Sequence, residues 1–250
     1  MITLTTITYE LFKVEYFQDE ECTVPFDFMD KKHLHIEFKD GELTPLVYAI
    51  DKAPCGTKIY CSYVNNEILT PLRIGASKKH ITIATLDDIT PNLSKYIPED
   101  NAVLFLSKDI QTECENSFMP NEIYTYVDNN IEGKSILENV FYYGTRINEL
   151  QEKITIFLPH GTQSELKKAV EVKKELKEKY GVEEVNLCVL HWFLFPTTES
   201  CCRKMLIQNL GFNKIITTNS TGILKPKDSN ERLQVIDVKE IFEEYLETQR

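Results

Sequence analysis

The chain has few glycines and lacks the glycine-rich motifs that hold nucleotide phosphates. Nine glycines occur in 250 residues. Gly56, Gly75 and Gly133 have no glycine partners at the spacing of a P-loop or a Rossmann fingerprint. Those loops need several glycines because their backbone must approach the phosphates closely. The sequence therefore excludes the two commonest phosphate-binding loops.

Paired cysteines are missing as well. None of the seven cysteines forms a Cys-x-x-Cys pair. Cys201 and Cys202 are adjacent, which is poor geometry for a disulfide or a shared zinc ion. The odd number of cysteines, and the position of Cys188 in an apolar run, favour reduced thiols. We therefore expect a cytoplasmic protein.

Long apolar runs and an excess of positive charge are also absent. No run of about 18 apolar residues and no signal peptide occurs, so we expect neither a membrane span nor export. The net charge of −11 argues against non-specific binding to nucleic acid or to anionic membranes. We therefore expect no nucleic-acid partner and no membrane association.

The most informative stretch is a strand, a turn, an amphipathic helix and a second strand. Ile154 to Leu158 is a short apolar run, and a helix is predicted from Glu165 to Lys179. Gly181 is placed to end that helix, and Val185 to Leu190 is the second strand. Because a helix connects the two strands, they should be parallel.

The turn between the first strand and the helix is a candidate anion site. It lies at the carboxyl end of a strand and at a helix N-terminus, where free N–H groups and the helix dipole favour negative charge. Thr162 or Ser164 could equally be an ordinary helix cap, because capping uses the same geometry. The candidate phosphate-binding or acceptor-binding residues are His160, Gly161, Thr162, Gln163 and Ser164.

Apolar strands alternate with helices along most of the chain. Ile81 to Leu86 and Val103 to Leu106 read as buried strands, and Leu43 to Ile50 as another. This alternation predicts an α/β fold with mostly parallel sheets flanked by helices. We place a domain boundary so that residues 1–110 and 111–250 form two domains.

Three stretches, in order, resemble the ribose-phosphate pyrophosphokinases (PRPP synthetases). Residues 38–42 look like that family's Phe-x-Asp-Gly-Glu segment, and residues 103–109 are similar to its strand ending in Ser-Pro-Asp. The run from Ile154 to Val238, with Thr-Thr-Asn-Ser followed by Val-Ile-Asp-Val, is similar to its C-terminal half. The resemblance implies two domains of the type I phosphoribosyltransferase fold, assembled into a homo-oligomer.

The resemblance also implies roles for particular residues. Phe38, Asp40 and Glu42 would bind the nucleotide, ATP. Asp109 would lie near the triphosphate, as a catalytic residue and a ligand of Mg²⁺. From the residues alone, the Asp-Gly pair is also an ordinary hairpin turn, and Asp109 is also a helix cap.

Asp87 and Asp88 follow a predicted strand and offer a second pair of carboxylates. Such a pair could hold Mg²⁺, or it could end a strand in solvent or cap a short helix.

The chain departs from the family at the acceptor side. Phe157 and Leu158 stand where the family has two acidic residues that hold the ribose hydroxyls, and neither can accept a hydrogen bond. Two hypotheses follow. One is an enzyme that transfers diphosphate from ATP to a ribose-bearing acceptor, either ribose 5-phosphate or a larger molecule such as ADP-ribose. The other is a catalytically inactive, nucleotide-binding or regulatory homologue.

Overall fold

The computed structural model describes most of the chain and divides into two compact units. The described residues are 2–4, 6–10, 13–17, 33–36, 44–89, 91–119, 121–126, 140–142, 145–146, 150–193 and 209–248. The first unit comprises Met1–Ile89, Asn219–Ile223 and Asp237–Arg250. The second unit comprises Thr90–Thr218 and Leu224–Ile236. The strand Ala102–Phe105 lies in the second unit, and the C-terminal segment Asp237–Arg250 lies in the first.

The secondary structure alternates between strands and helices, as predicted. Within the described residues the strands are β1 Ile2–Leu4, β2 Thr6–Glu10, β3 Lys13–Phe17, β4 His33–Ile36, β5 Lys58–Cys61, β6 Thr82–Thr85, β7 Ala102–Phe105, β8 Ile123–Tyr126, β9 Val140–Tyr142, β10 Thr145–Arg146, β11 Lys153–Gly161, β12 Glu184–Trp192, β13 Ile215–Thr218 and β14 Leu233–Ile236. The α-helices there are α1 Thr44–Lys52, α2 Asn66–Ser77, α3 Lys108–Cys114, α4 Gln163–Tyr180 and α5 Val238–Thr248. Short 3₁₀ helices span Leu86–Asp88, Ser94–Tyr96, Glu115–Phe118 and Pro226–Asp228.

The first unit contains a parallel sheet, the small sheet, in the order β1-β4-β5-β6. Strands β2 and β3 form an antiparallel hairpin. The buried core between the small sheet and its helices includes Leu46, Ile59, Leu69 and Ile83. Helix α5 joins this unit through Phe242, whose ring centroid lies 5.2 Å from that of Tyr60 on β5.

The prediction of a strand from Leu43 to Ile50 is wrong, because residues 44–50 lie in helix α1. Leu46 and Ala49 are fully buried and Ala53 nearly so, while Val47 is 52% exposed. Buried positions three and four residues apart share one face of a helix, whereas a strand would bury every second residue. The helical period therefore decides the structure of this apolar run.

The second unit contains the large sheet, in the order β10-β9-β8-β7-β11-β12-β13-β14. All of its pairings from β8 to β14 are parallel. The pairings of β9 with β8 and with β10 are antiparallel. The prediction of an α/β fold with mostly parallel sheets flanked by helices is confirmed.

The core of the second unit includes an aromatic cluster and the apolar face of α4. Phe105, Phe118 and Phe157 are buried and meet edge to face, with ring centroids 4.7 to 5.6 Å apart. Helix α4 buries Leu166, Ala169, Val172 and Leu176 at the helical period. The helix ends at Gly181, whose φ of 66° is a left-handed conformation that favours glycine.

Among the helices that the structure describes, none combines the length and the apolar character that a membrane crossing requires.

Candidate functional site

The candidate residues of the second unit gather at the carboxyl edge of the large sheet. Strand β7 ends at Phe105 and is followed by α3, and β11 ends at Gly161 and is followed by α4. Because β7, β11 and β12 are parallel neighbours, their carboxyl ends meet at one edge. In open α/β sheets this edge is where ligands bind.

His160 and Gly161 lie on a strand and not in the predicted turn. Strand β11 runs four residues past its last pairing with β7, at Phe157, and stays paired with β12 up to Gly161. Pro159 lies in that extension, where its missing N–H is tolerated because β7 no longer flanks the strand. The connection to α4 is therefore reduced to Thr162.

Position 161 requires glycine because the backbone of β11 approaches the neighbouring strand β12 closely there. A Cβ atom at this position would lie 2.9 Å from Cγ1 of Val189 and 3.5 Å from the ring of Trp192. Its φ is not in the left-handed region, so the constraint is one of space. This glycine closes the packing of β11 on β12.

The N-terminus of α4 is closed by a capping box between Thr162 and Glu165. The Thr162 hydroxyl accepts a hydrogen bond from the Glu165 N–H at 3.4 Å. The Glu165 carboxylate accepts from the N–H of Thr162 at 3.3 Å and from its hydroxyl at 2.7 Å. Ser164 contributes its hydroxyl, 3.2 Å from that of Thr162. The backbone N–H groups of Thr162 and Glu165 are thus each satisfied by the side chain of the other residue.

The capping box changes what this helix N-terminus can bind. The Glu165 carboxylate lies where an incoming phosphate would receive hydrogen bonds from Thr162. A second anion there would meet like charge, so Glu165 would first have to move away. The contacts match the capping interpretation, and Gln163 and Ser164 stay exposed beside the cap. Sequence reasoning overlooked Glu165, although Thr-x-x-Glu before an amphipathic helix is the signature of a capping box.

Three rings lie side by side at the ends of β11 and β12. His160 is in register with His191, and their rings stack with centroids 5.6 Å apart and an interplanar angle of 23°. Phe193 lies 5.7 Å from His160 and 6.3 Å from His191. His191 is fully buried, whereas His160 and Phe193 are partly exposed. Phe193 was not among the predicted site residues, although an aromatic residue two positions after His191 falls on the same face of a strand.

Asp109 lies in the first turn of α3 with its side chain exposed. It does not cap that helix. The cap is Ser107, whose hydroxyl accepts a hydrogen bond from the N–H of Ile110 at 3.2 Å. A carboxylate in the first turn interacts favourably with the helix dipole. Asp109 is thus at the same edge as His160, one strand away.

The carboxylates in the described parts of the chain do not form a metal-binding site. No group of three His, Cys, Asp or Glu side chains there is arranged to hold an ion. Asp88 accepts hydrogen bonds from the N–H and hydroxyl of Thr85 at 2.6 and 2.8 Å, and pairs with Arg73. Asp88 therefore ends a strand by capping, and the described residues do not fit a Mg²⁺ ion held by protein ligands alone.

The buried thiols of Cys188 and Cys61 are poor nucleophiles. Burial raises the pKa of Cys188 on β12, and that of Cys61 on β5, to about 12. A thiol with that pKa stays protonated at neutral pH, and the thiolate is the reactive form.

The predicted nucleotide-binding residues Phe38, Asp40 and Glu42 lie outside the described residues.

The comparisons with known proteins give one kind of match. No protein-family model matches the chain, and no curated protein sequence does. Among solved structures, the chain is similar to the crystal structure of phosphoribosylpyrophosphate synthetase from Mycobacterium smegmatis. The TM-score is 0.55 with 11% sequence identity, over 97% of this chain and 89% of the other. At that identity the likeness concerns the fold alone, and this chain is an α/β protein with the fold of a PRPP synthetase.

Proposed function

We propose that this protein is a divergent relative of the PRPP synthetases that transfers the β,γ-diphosphate of ATP to a ribose-bearing acceptor. The observation that carries the proposal is the extent of the structural likeness, which spans 97% of the chain and therefore both compact units. Transfer of this kind depends mainly on positioning and on neutralising phosphate charge. An acceptor site can therefore change while the reaction is kept.

The acceptor proposed here is a molecule larger than ribose 5-phosphate. Phe157 and Leu158, where the family has acids, are each 1% exposed and belong to the core. They offer a sugar no hydrogen-bond acceptor. Glu165 fills the start of α4, where a 5-phosphate would need free N–H groups. Both features disfavour ribose 5-phosphate.

The rings at the carboxyl edge support an acceptor that carries a base. His160 and Phe193 present partly exposed rings beside the end of β11. Stacking of an aromatic base on such rings contributes about 1–3 kcal/mol. ADP-ribose combines a ribose with a base and is the acceptor to test first.

The donor side of the proposal rests on the resemblance in sequence. Phe38, Asp40 and Glu42 are proposed to bind ATP, and Asp109 is proposed as a catalytic residue that contacts its Mg²⁺. Mg²⁺ commonly binds through one or two carboxylates together with substrate phosphates, so it would arrive with the nucleotide. A homo-oligomer is part of the same proposal.

The test is release of AMP from ATP and Mg²⁺ in the presence of separate acceptors. We expect release with ADP-ribose and at least about tenfold less with ribose 5-phosphate. Asp109→Asn should lower the rate by about 100-fold. Lys108→Gln, one position earlier and also exposed, is the matched control and should leave the rate unchanged. Equal rates with both acceptors would overturn the acceptor assignment, and no release with any acceptor would overturn the activity.

A second candidate is a catalytically inactive homologue that binds nucleotide or associates with an active enzyme. The observation that favours it is the combination of a core Phe157 with a capped α4. This hypothesis predicts that ATP raises the melting temperature without any AMP release. Acceptor-dependent release would reject it.

A further inference from the structure

Three buried polar side chains lie next to one another near the amino ends of β7, β11 and β12. Asn101 precedes β7 and is 1% exposed, and Thr155 on β11 and Asn186 on β12 are both fully buried. Thr155 and Asn186 are register partners on parallel strands, so their side chains project from the same face. The amide of Asn101 reaches the Thr155 hydroxyl directly. The group is at the opposite edge of the large sheet from the candidate functional site.

The hydrogen-bond count of this group is incomplete. The Asn101 amide nitrogen donates to Oγ1 of Thr155 at 3.1 Å, and the Asn186 amide nitrogen donates to the Glu184 carboxylate at 2.8 Å. Among the described residues, Oδ1 of Asn101 and Oδ1 of Asn186 have no hydrogen-bond partner. An unsatisfied buried acceptor costs about 1–3 kcal/mol, so two together call for an explanation.

Reversing the amides does not remove the deficit. If Asn186 were turned over, its Oδ1 would face the Glu184 carboxylate, and two acceptors would meet. If Asn101 were turned over, its Oδ1 could accept from Thr155, but its NH₂ group would be left buried without an acceptor. The orientation of Asn186 is thus fixed by Glu184, and its Oδ1 lacks a partner whichever way Asn101 is turned.

We propose that a single buried water molecule is an integral part of the second unit, bound by Asn101, Thr155 and Asn186. The water donates its two hydrogens to Oδ1 of Asn101 and Oδ1 of Asn186, and it accepts the hydroxyl hydrogen of Thr155. Both Oδ1 atoms and the Thr155 hydroxyl hydrogen then have a hydrogen-bond partner. Asn101, just before β7, and Asn186 on β12 flank Thr155 from opposite sides of β11. Each lies across one interstrand spacing of about 4.8 Å, so a water about 2.8 Å from the Thr155 hydroxyl would lie between the two amides.

Water fits this group better than a metal ion does. Three neutral oxygens are available, whereas Ca²⁺ and Mg²⁺ take about six or more oxygen ligands. A buried water typically makes about three hydrogen bonds to otherwise unsatisfied groups, which is the number found here. The site is independent of the proposed enzymatic activity.

The direct test is a crystal structure of the full chain at about 1.2 Å resolution, where ordered water and amide orientation can be assigned. We expect a density peak at hydrogen-bonding distance, about 2.8 Å, from the two Oδ1 atoms and from Oγ1 of Thr155. A site without a peak would overturn the proposal. A peak with metal-like distances of about 2.0–2.6 Å would overturn it as well.

A double-mutant cycle gives a test in solution. If Asn101 and Asn186 share one water, Asn101→Ala already displaces it, so Asn186→Ala should lower the melting temperature less in that background than in the wild type. Asn121→Ala combined with Asn186→Ala is the control pair. Asn121 donates to the carbonyls of Pro98 and Asn101 instead of sharing the site. Additive shifts for Asn101 and Asn186 would count against a shared water.

Discussion

The two edges of the large sheet differ in how completely their polar groups are hydrogen-bonded. At the carboxyl edge, Thr162 and Glu165 satisfy each other, and ring side chains occupy the strand ends. At the amino edge, Asn101 and Asn186 keep acceptors that have no partner in the described chain. The edge that looks like a phosphate cradle in sequence is therefore closed by its own side chains. A ligand there would rely on exposed side chains and rings instead of backbone N–H groups.

The largest expected effect is at Phe157, a core residue that stands where the PRPP synthetases have an acidic residue. Phe157→Ala should lower the free energy of unfolding by about 3–5 kcal/mol, because it opens a cavity between Phe105 and Phe118. Denaturant unfolding followed by the fluorescence of Trp192, the single tryptophan, reports on this unit. Met119→Ala, at a 55% exposed position, is the control and should change stability by less than about 0.5 kcal/mol.

Loss of less than about 1 kcal/mol in Phe157→Ala would show that this strand end is adaptable. Phe157 would then not be a tightly packed part of the core beneath the carboxyl edge.

The next largest effect concerns the closure of the carboxyl edge. Gly161→Ala should destabilise the protein by about 1–3 kcal/mol, because the new methyl group would press on Val189 and Trp192. Gly75→Ala is the matched control. Gly75 lies inside α2 with nothing within 4 Å of an added Cβ, so this change should stabilise by about 0.5–1 kcal/mol. Thermal unfolding of both variants measures the difference, and equal shifts would contradict the packing argument.

The sequence predicted which helices and strands occur better than it predicted where they end. The βαβ unit around α4 follows from an apolar run, a helical period and Gly181, all of which are local patterns. The extension of β11 through His160 and Gly161 could not be read locally, because it depends on pairing with β12. Joining α5 to the first unit depends on a contact between Tyr60 and Phe242, which are far apart in sequence.

The candidate site was harder to predict than the fold. His160 was predicted from its place after a strand and Asp109 from the resemblance to the PRPP synthetases, and both lie at the carboxyl edge of the large sheet. Whether Thr162 binds a phosphate or caps a helix could not be decided without the position of Glu165. The stacking of His160 with His191 needed the register of two strands separated by a whole helix.

A smaller effect separates capping from ligand binding at α4. Thr162→Ala removes the cap and should cost about 1 kcal/mol of stability. Glu165→Gln keeps a residue that can close the box, so it should change stability by only a few tenths of a kcal/mol. The same variant removes the negative charge and should strengthen binding of inorganic phosphate, measured by calorimetry. Unchanged phosphate binding would show that Glu165 does not guard the helix N-terminus.

The smallest expected effect lies at the rim of the amino edge, in the ion pair between Asp100 and Lys153. A hydrogen bond from Lys153 holds the pKa of Asp100 below its usual value of 3.8. Its contribution to stability is therefore present above pH 3.8 and is lost as the pH falls towards the lowered pKa. Both side chains are exposed, so solvent screening keeps the effect small. Between about pH 5 and pH 2, the wild-type denaturation midpoint should fall slightly more than that of Asp100→Asn. Parallel curves would mean that this rim pair contributes nothing, and that the amino edge depends only on its buried polar group.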